Sequence, residues 1–168
     1  MGAEHPLYML YTSGSTGKPK GLMHTTAGYL LGSAVSGKYV LDIHPSDTMF
    51  CSGDVGWITG HNYLVYTPLV LGITTVIFEG APSFPNYDRL WQILDRTKAT
   101  HIYTAPTTLR MVRKERPNGN SMNMDRLRVI ASIGEPLAPN VWEWCYEVLG
   151  QKQVHVLDVS RHKFTCHP

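Results

Sequence analysis

Cysteine is scarce in this chain of 168 residues: Cys51, Cys145 and Cys166 lie far apart, with no C-x-x-C pair. That argues against a disulfide framework and a cysteine zinc site, and it fits a reducing cytosol. Charge is also sparse. Asp, Glu, Lys and Arg make up 17% of the residues, and 15 basic against 13 acidic side chains leave a net charge of +2. Such balance speaks against a chain built mainly to hold nucleic acid or anionic lipid. The first six residues carry Glu4 and His5, and no long apolar run follows, so no signal peptide is visible. There is no internal repeat, and nothing specifies an oligomeric state. The expectation is one soluble, cytoplasmic, globular domain with small-molecule partners and neither a nucleic-acid nor a membrane partner.

One uncharged stretch, Val55 to Phe78, has the length of a bilayer span, about 20 residues. Gly56, Thr59, Gly60, His61, Asn62, Pro68, Gly72, Thr74 and Thr75 interrupt it. It reads instead as a buried helix over 62–71 that turns at Gly72 into a strand, Thr74 to Phe78.

Short β-rich runs alternate with helical patterns along the chain, the order of an α/β domain with helices packed on a mostly parallel sheet. Strands are expected at Leu7–Thr12, Thr48–Cys51, Thr74–Phe78, His101–Thr104, Leu127–Ser132 and Val154–Leu157. Helices are expected from a cap at Thr25 or Thr26 to about Tyr39, then at 62–71, Tyr87–Thr97, Thr107–Lys114 and Pro139–Leu149. Pro139 suits a first helical turn and Gly150 a C-terminal stop. The Pro/Gly-rich segments Gly80–Asn86 and Arg116–Asn123 read as surface loops.

The chemistry concentrates in Tyr11-Thr-Ser-Gly-Ser-Thr-Gly-Lys-Pro-Lys-Gly21, which follows the first strand. A phosphate site needs this mixture: glycines that let backbone N–H groups approach oxygen, hydroxyl donors, and lysines that offset charge. Each hydrogen bond to a charged oxygen contributes about 1.5–3 kcal/mol, so four or five hold a polyphosphate after desolvation. A Walker A loop is excluded by spacing, because Gly14-x-x-Gly17-Lys18 is not G-x-x-x-x-G-K-[ST] and Pro19 stands where a magnesium-binding hydroxyl belongs. Pro19 also pushes Lys18 toward an extended conformation rather than a helix start.

Residues 11–21 resemble the phosphate loop of the adenylate-forming acyl-CoA synthetases and luciferases. The strings Gly21-Leu-Met-His-Thr-Thr-Ala-Gly-Tyr29, Asp54-Val-Gly-Trp-Ile-Thr-Gly-His61, Tyr103-Thr-Ala-Pro-Thr107 and Ser132-Ile-Gly-Glu-Pro136 narrow the resemblance to AMP-forming acetyl-CoA synthetases. It runs from about Pro6 to Asp158 and implies part of an adenylate-forming N-terminal domain. It also implies ATP, Mg²⁺ and CoA as co-substrates, acetate as the acid, and no tightly bound cofactor or resident metal. By the resemblance, Thr12, Ser13, Gly14, Ser15, Thr16 and Gly17 wrap the ATP phosphates, with Lys18 and Lys20 as the catalytic cations. Gly134, Glu135 and Pro136 lie along the nucleotide, and Asp158 opens the adenine motif. Trp57, Ile58, Thr59 and Ile133 wall the acyl pocket, and Thr59 and Ser83 face the CoA route, although the family often has Asn where Ser83 stands.

From the residues alone, an indole beside a β-branched pair closes a small apolar pocket by steric exclusion, or else packs in the core. His61 is a candidate general base, whereas a lone His is more commonly a packing residue. Glu135, between Gly and Pro after an apolar strand, sits where open α/β sheets bind ligands, or else caps the helix near Pro139.

After Asp158 the resemblance stops. The family continues with an aromatic, Thr/Glu-rich motif, whereas this chain reads Val159-Ser-Arg-His-Lys-Phe-Thr-Cys-His-Pro168. By the resemblance, the N-terminal part of the large domain and the small C-terminal domain are both expected to be missing from it. Val159-Ser160 is what a 5′ splice consensus encodes when translated, so 159–168 is expected to be read-through of an intron. A metal site at His162, Cys166 and His167 is disfavoured for want of a fourth nearby ligand. A fragment without catalytic turnover, or a preference for propionate, are the rival expectations.

Overall fold

The computed structural model describes residues 1–12, 18–119 and 124–159. Five strands form one parallel sheet in the order β4-β3-β5-β6-β7: β3 (Thr48–Cys51), β4 (Thr74–Val76), β5 (His101–Thr104), β6 (Val129–Ile133) and β7 (His155–Val159). Helices connect them: Ile58–Gly60 (α2) running through a wide π turn, His61–Tyr66, into Thr67–Leu71 (α3), then Arg89–Thr97 (α4), Pro106–Glu115 (α5) and Pro139–Trp144 (α6). Parallel strands need such crossovers, so the alternating β/α order foreseen from the sequence is what the chain adopts.

Strand alternation divides the core in two. Phe50, Ile102 and Ile130 point to the face covered by α4, α5 and α6, against Leu90, Trp91, Leu109, Val112 and Val141. Met49, Cys51, Tyr103, Val129 and Ala131 point to the other face, against Leu41, Ile43 and Leu64. Buried on both sides, the strands read as continuous apolar runs. Truncating Phe50, which is fully buried, to Ala would cost about 3–5 kcal/mol.

Three polar residues inside Val55–Phe78, Asn62, Thr67 and Thr75, have hydrogen-bond partners. The Asn62 Oδ1 accepts from Ser33 at 2.6 Å and Thr67 at 3.2 Å, and the Thr75 hydroxyl donates to the Leu64 carbonyl at 2.8 Å. Among the described residues no helix is long and apolar enough to cross a membrane.

The amino end of the chain departs from expectation. Pro6–Thr12 (β1) pairs antiparallel with Lys20–Thr25 (β2) in a separate two-stranded sheet, from Pro6 opposite Thr25 to Thr12 opposite Lys20. A strand at 20–25 was not foreseen, because Lys20, Gly21 and His24 break the strand period and the pairing depends on a partner across the turn. The following helix, Thr26–Val35 (α1), has Thr25 as its N-cap without a side-chain cap bond, while the Thr26 hydroxyl donates to the His5 carbonyl at 2.8 Å. α1 continues as a π turn over Ser36–Val40.

Other boundaries shift for local reasons. β6 begins at Val129 rather than Leu127, although the Arg128 amide still donates to the Thr100 carbonyl at 2.7 Å and its carbonyl accepts from the His155 amide at 2.8 Å. β4 ends at Val76, and Ile77 is exposed beyond the ladder. Gly150 ends the last helix in a right-handed conformation, and Gln151 and Lys152 take the positive φ values instead. Gly72, with φ of 68°, makes the left-handed stop foreseen for it.

Candidate active site

The carboxyl ends of parallel strands in an open α/β sheet form its natural ligand crevice. Here those ends carry a row of polar residues in register. Thr104 is opposite Ser132, Ser132 is opposite Asp158, and Ser52 follows β3, its amide donating to the Tyr103 carbonyl at 3.0 Å. By strand alternation all four belong to the α4–α6 side. The Ser52 and Thr104 hydroxyls are 2.6 Å apart. Ser132 is fully buried, and its hydroxyl has no hydrogen-bond partner among the described residues. An orphan of this kind costs about 1–3 kcal/mol.

Above this row lies the Gly134-Glu135-Pro136 turn, exposed throughout. Gly134 has φ of 106°, a value only glycine adopts without strain. The turn leaves a ladder in which Ile133 pairs with Val159, and it is tied down where it ends, because the Leu137 amide donates to the Asp158 carboxylate at 3.0 Å. The Glu135 side chain is paired with Arg110 of α5, Nη2 to Oε1 at 2.8 Å, both groups 42% exposed. Glu135 therefore does not cap α6, whose N-cap is Ala138. An anion here matters, since like charges about 4 Å apart near a surface repel by about 4 kcal/mol.

The second wall leaves β3. The Asp54 carboxylate accepts from the Gly56 amide at 2.6 Å, and the Trp57 amide donates to the Asp54 carbonyl at 3.0 Å, bending 54–57 back on itself. Gly60 permits this fold, because a methyl group there would collide with the Asp54 carbonyl oxygen. The bend leaves Trp57 71% exposed and Ile58 38% exposed, with Thr59 half-buried beside Gly53. Core packing is thus not the role of Trp57. These three residues stand at the exit of β3 and Ile133 at the exit of β6, two strands away. Ser83 lies half-buried in the loop after β4. A cavity of about 270 Å³ lies elsewhere, between β4 and α4, lined by Val76, Phe78, Arg89 and Arg96 among others.

Lys18 and Lys20 flank the hairpin connection and are both exposed, Lys20 as the first residue of β2. Thr12 ends β1, and Ser13, Gly14, Ser15, Thr16 and Gly17 lie outside the described residues. The hairpin packs on α1 and the π turn through aromatic contacts. Tyr8 stacks on His61 at 5.1 Å and on His24 at 4.8 Å between ring centroids, and meets Tyr29 edge-on at 5.1 Å. His61 therefore packs between the hairpin and the π turn, its ring also stacking on Tyr66 at 6.2 Å between centroids. Burial raises the Cys51 thiol to about 11, which keeps it protonated at neutral pH. Among the described residues no group of three or more His, Cys, Asp or Glu could hold a metal ion.

Sequence reasoning missed three residues of this edge and one beside it. Ser52, Thr104 and Ser132 carry a signal only once strand register is known. Arg110 looks like any surface charge on a helix, and its partner lies 25 residues away.

The parallel sheet with its exposed, tethered Gly-Glu-Pro turn at a strand exit defines an α/β domain, and the comparisons place it in a family. Residues 1–157 match the AMP-binding enzyme family, and the chain belongs to it. It is 56% identical over 159 residues to acetyl-coenzyme A synthetase 2 of Debaryomyces hansenii, covering 94% of this chain and 23% of that protein. It is 53% identical over 158 residues to acetyl-coenzyme A synthetase of Emericella nidulans, covering 94% and 24%. The solved acetoacetyl-CoA synthetase from Streptomyces lividans superposes with a TM-score of 0.86 at 29% identity, over 97% of this chain and 25% of that one. The chain spans about a quarter of the length of the relatives it matches.

Proposed function

We propose that this chain is the central part of the adenylation domain of an AMP-forming acetate–CoA ligase, residues 1–158, followed by a divergent tail. The carboxylate of acetate attacks the α-phosphate of ATP and expels pyrophosphate, and the CoA thiol then displaces AMP to give the thioester. No protein nucleophile is required, so the protein's part is alignment of two anions and dispersal of charge. Residues 12–17 would wrap the phosphates, with Lys18 and Lys20 beside them. Mg²⁺, entering with ATP, would share the phosphate charge. Gly134–Pro136 and Asp158 would line the nucleotide, Trp57, Ile58, Thr59 and Ile133 the methyl group of acetate, and Thr59 and Ser83 the path of CoA.

The observation that carries this reading is the pairing of a lysine-flanked, Gly/Ser/Thr-rich hairpin connection with an exposed Gly-Glu-Pro turn at a strand exit, in a chain more than half identical to proteins named acetyl-coenzyme A synthetase. The test is acetate-dependent ATP–pyrophosphate exchange by the full-length enzyme, with propionate as the competing acid. Exchange that requires acetate supports the proposal, and absence of exchange with either acid defeats it.

A second reading concerns the 168-residue piece taken alone: it binds nucleotide weakly and does not turn over. Large apolar side chains favour it, with Trp57 71%, Tyr39 74% and Met23 57% exposed, because such surface normally meets more protein. Titration of this chain with ATP, together with the exchange assay, separates the two. Sequencing the transcript across codons 158–160 tests the intron origin of the tail.

A further inference from the structure

We propose that Arg110 is a positioning residue for the nucleotide, acting through Glu135: it fixes that carboxylate on the Gly134–Pro136 turn and offsets its charge beside the polyphosphate. The inference rests on the ligase reading above and adds a residue to which neither the family resemblance nor any comparison gives a role.

The geometry is that of a support reaching across to an otherwise free segment. α5 starts directly after β5 leaves the sheet, and Leu109 and Val112, both fully buried, anchor it in the core. Arg110 therefore projects from a rigid helix. The turn it reaches is held at each end, by the ladder pairing of Ile133 with Val159 and by the bond from the Leu137 amide to Asp158. Between those anchors Gly134, Glu135 and Pro136 are exposed, and the Arg110–Glu135 contact ties the middle to α5 at 2.8 Å. A carboxylate accepts through two oxygens. The guanidinium engages Oε1, which leaves Oε2 to accept from a donor group of the nucleotide.

Charge gives the second half of the argument. A lone carboxylate next to a triphosphate raises the cost of binding it, and a fixed guanidinium removes that cost without occupying the phosphate site. Because the pair is substantially exposed, it adds little to folding stability, so its loss should be felt in ligand binding rather than in the fold.

The experiment is a double-mutant cycle in the full-length enzyme, read as KM for ATP in acetate-dependent pyrophosphate exchange, as Kd for ATP by titration calorimetry, and as the thermal midpoint. Arg110→Ala should raise KM and Kd for ATP about 10-fold, with kcat changed less than about threefold and the midpoint unmoved, as expected for a charged hydrogen-bonded partner of a binding group. Arg110→Lys should recover part of the loss. In a Glu135→Gln background the same Arg110→Ala change should have little further effect, since the charge to be offset is gone. Equal losses in both backgrounds would overturn the proposal, as would an unchanged Kd in Arg110→Ala. Failure of the unmodified enzyme to exchange pyrophosphate would instead count against the ligase reading, and the calorimetric cycle would still decide the role of Arg110.

Discussion

At the amino ends of β3, β5 and β6, the residues just before each strand bind one another. The carboxylate of Asp47 takes two hydrogen bonds from Arg128, at 2.8 and 2.9 Å, and one from the His44 amide at 2.7 Å. Arg128 also reaches Asp42 at 2.5 Å, and Thr100 accepts from the Thr48 amide at 3.0 Å. Buried His101 touches the Leu41 carbonyl through Nε2 and the Thr100 hydroxyl through Nδ1, both at 2.8 Å. At the carboxyl ends of the same sheet the bonding is sparser: Ser52 pairs with Thr104, Asp158 with the Leu137 amide and Glu135 with Arg110, but Ser132 has no partner among the described residues, Trp57 faces solvent, and Glu135 sits on an exposed turn. One edge spends its polar groups in a closed, buried network, and the other binds some of them in isolated pairs and leaves the Ser132 hydroxyl and the exposed turn open. The contrast teaches which edge a ligand can use, because a saturated network has no free donors or acceptors to offer.

The largest effect should come from breaking the closed edge. Arg128→Met would strand the Asp47 carboxylate, which is 3% exposed, and should destabilise the full-length enzyme by about 3 kcal/mol in urea denaturation. A loss below about 0.5 kcal/mol, the usual size for a neutral surface change, would dissolve the contrast. Next comes the open edge. Lys20→Ala should lower acetate-dependent pyrophosphate exchange about 100-fold, roughly 2.7 kcal/mol of barrier, while the denaturation midpoint stays put; matching exchange rates would remove Lys20 from the site.

Acid should act on the closed edge by a sequence of smaller steps. Burial holds the His101 imidazole below its ordinary 6.5, against the pull of the Leu41 carbonyl and Asp47, and burial lowers His24, on β2 of the hairpin and outside this edge, as well. Their protonation is harder in the folded than in the unfolded chain, so stability is full above about pH 6.5 and declines as the pH falls from there toward their folded values. Burial pushes the Asp47 carboxyl up, but the His44 amide and the Arg128 guanidinium outweigh it and hold the group below 3.8. A second loss should therefore begin as pH falls through about 4, the unfolded carboxylate value. Denaturation midpoints measured from pH 7.5 down to 3.5 check both steps, and a flat profile between 6.5 and 5 would refute the first.

The smallest change sharpens the open edge. Ser132→Ala removes an orphan hydroxyl and should leave stability unchanged or raise it by up to about 1 kcal/mol, and a clear loss would reveal a partner for that oxygen.

Much of this architecture could be read in advance from particular residues. Phe50, Ile102 and Ile130 sit in short apolar runs bounded by turn residues, and such runs become buried strands wherever a sheet can form. Gly72 marked a helix stop through a conformation that few other residues tolerate. Arg110 and Glu135 were another matter, since a helix surface charge carries no mark of its partner. The same is true of β2, whose strand state exists only because β1 lies opposite.

Composition, periodicity and the motif strings were sufficient for the α/β class, for most of the strands and helices, and for the phosphate-loop and Gly-Glu-Pro residues, because each of these rests on interactions between near neighbours in the chain. Which polar groups are spent and which stay open was settled by folding. Asp47 meets Arg128, Arg110 meets Glu135, and Ser132 meets no partner among the described residues, through strand register and helix placement over separations that local chemistry does not encode.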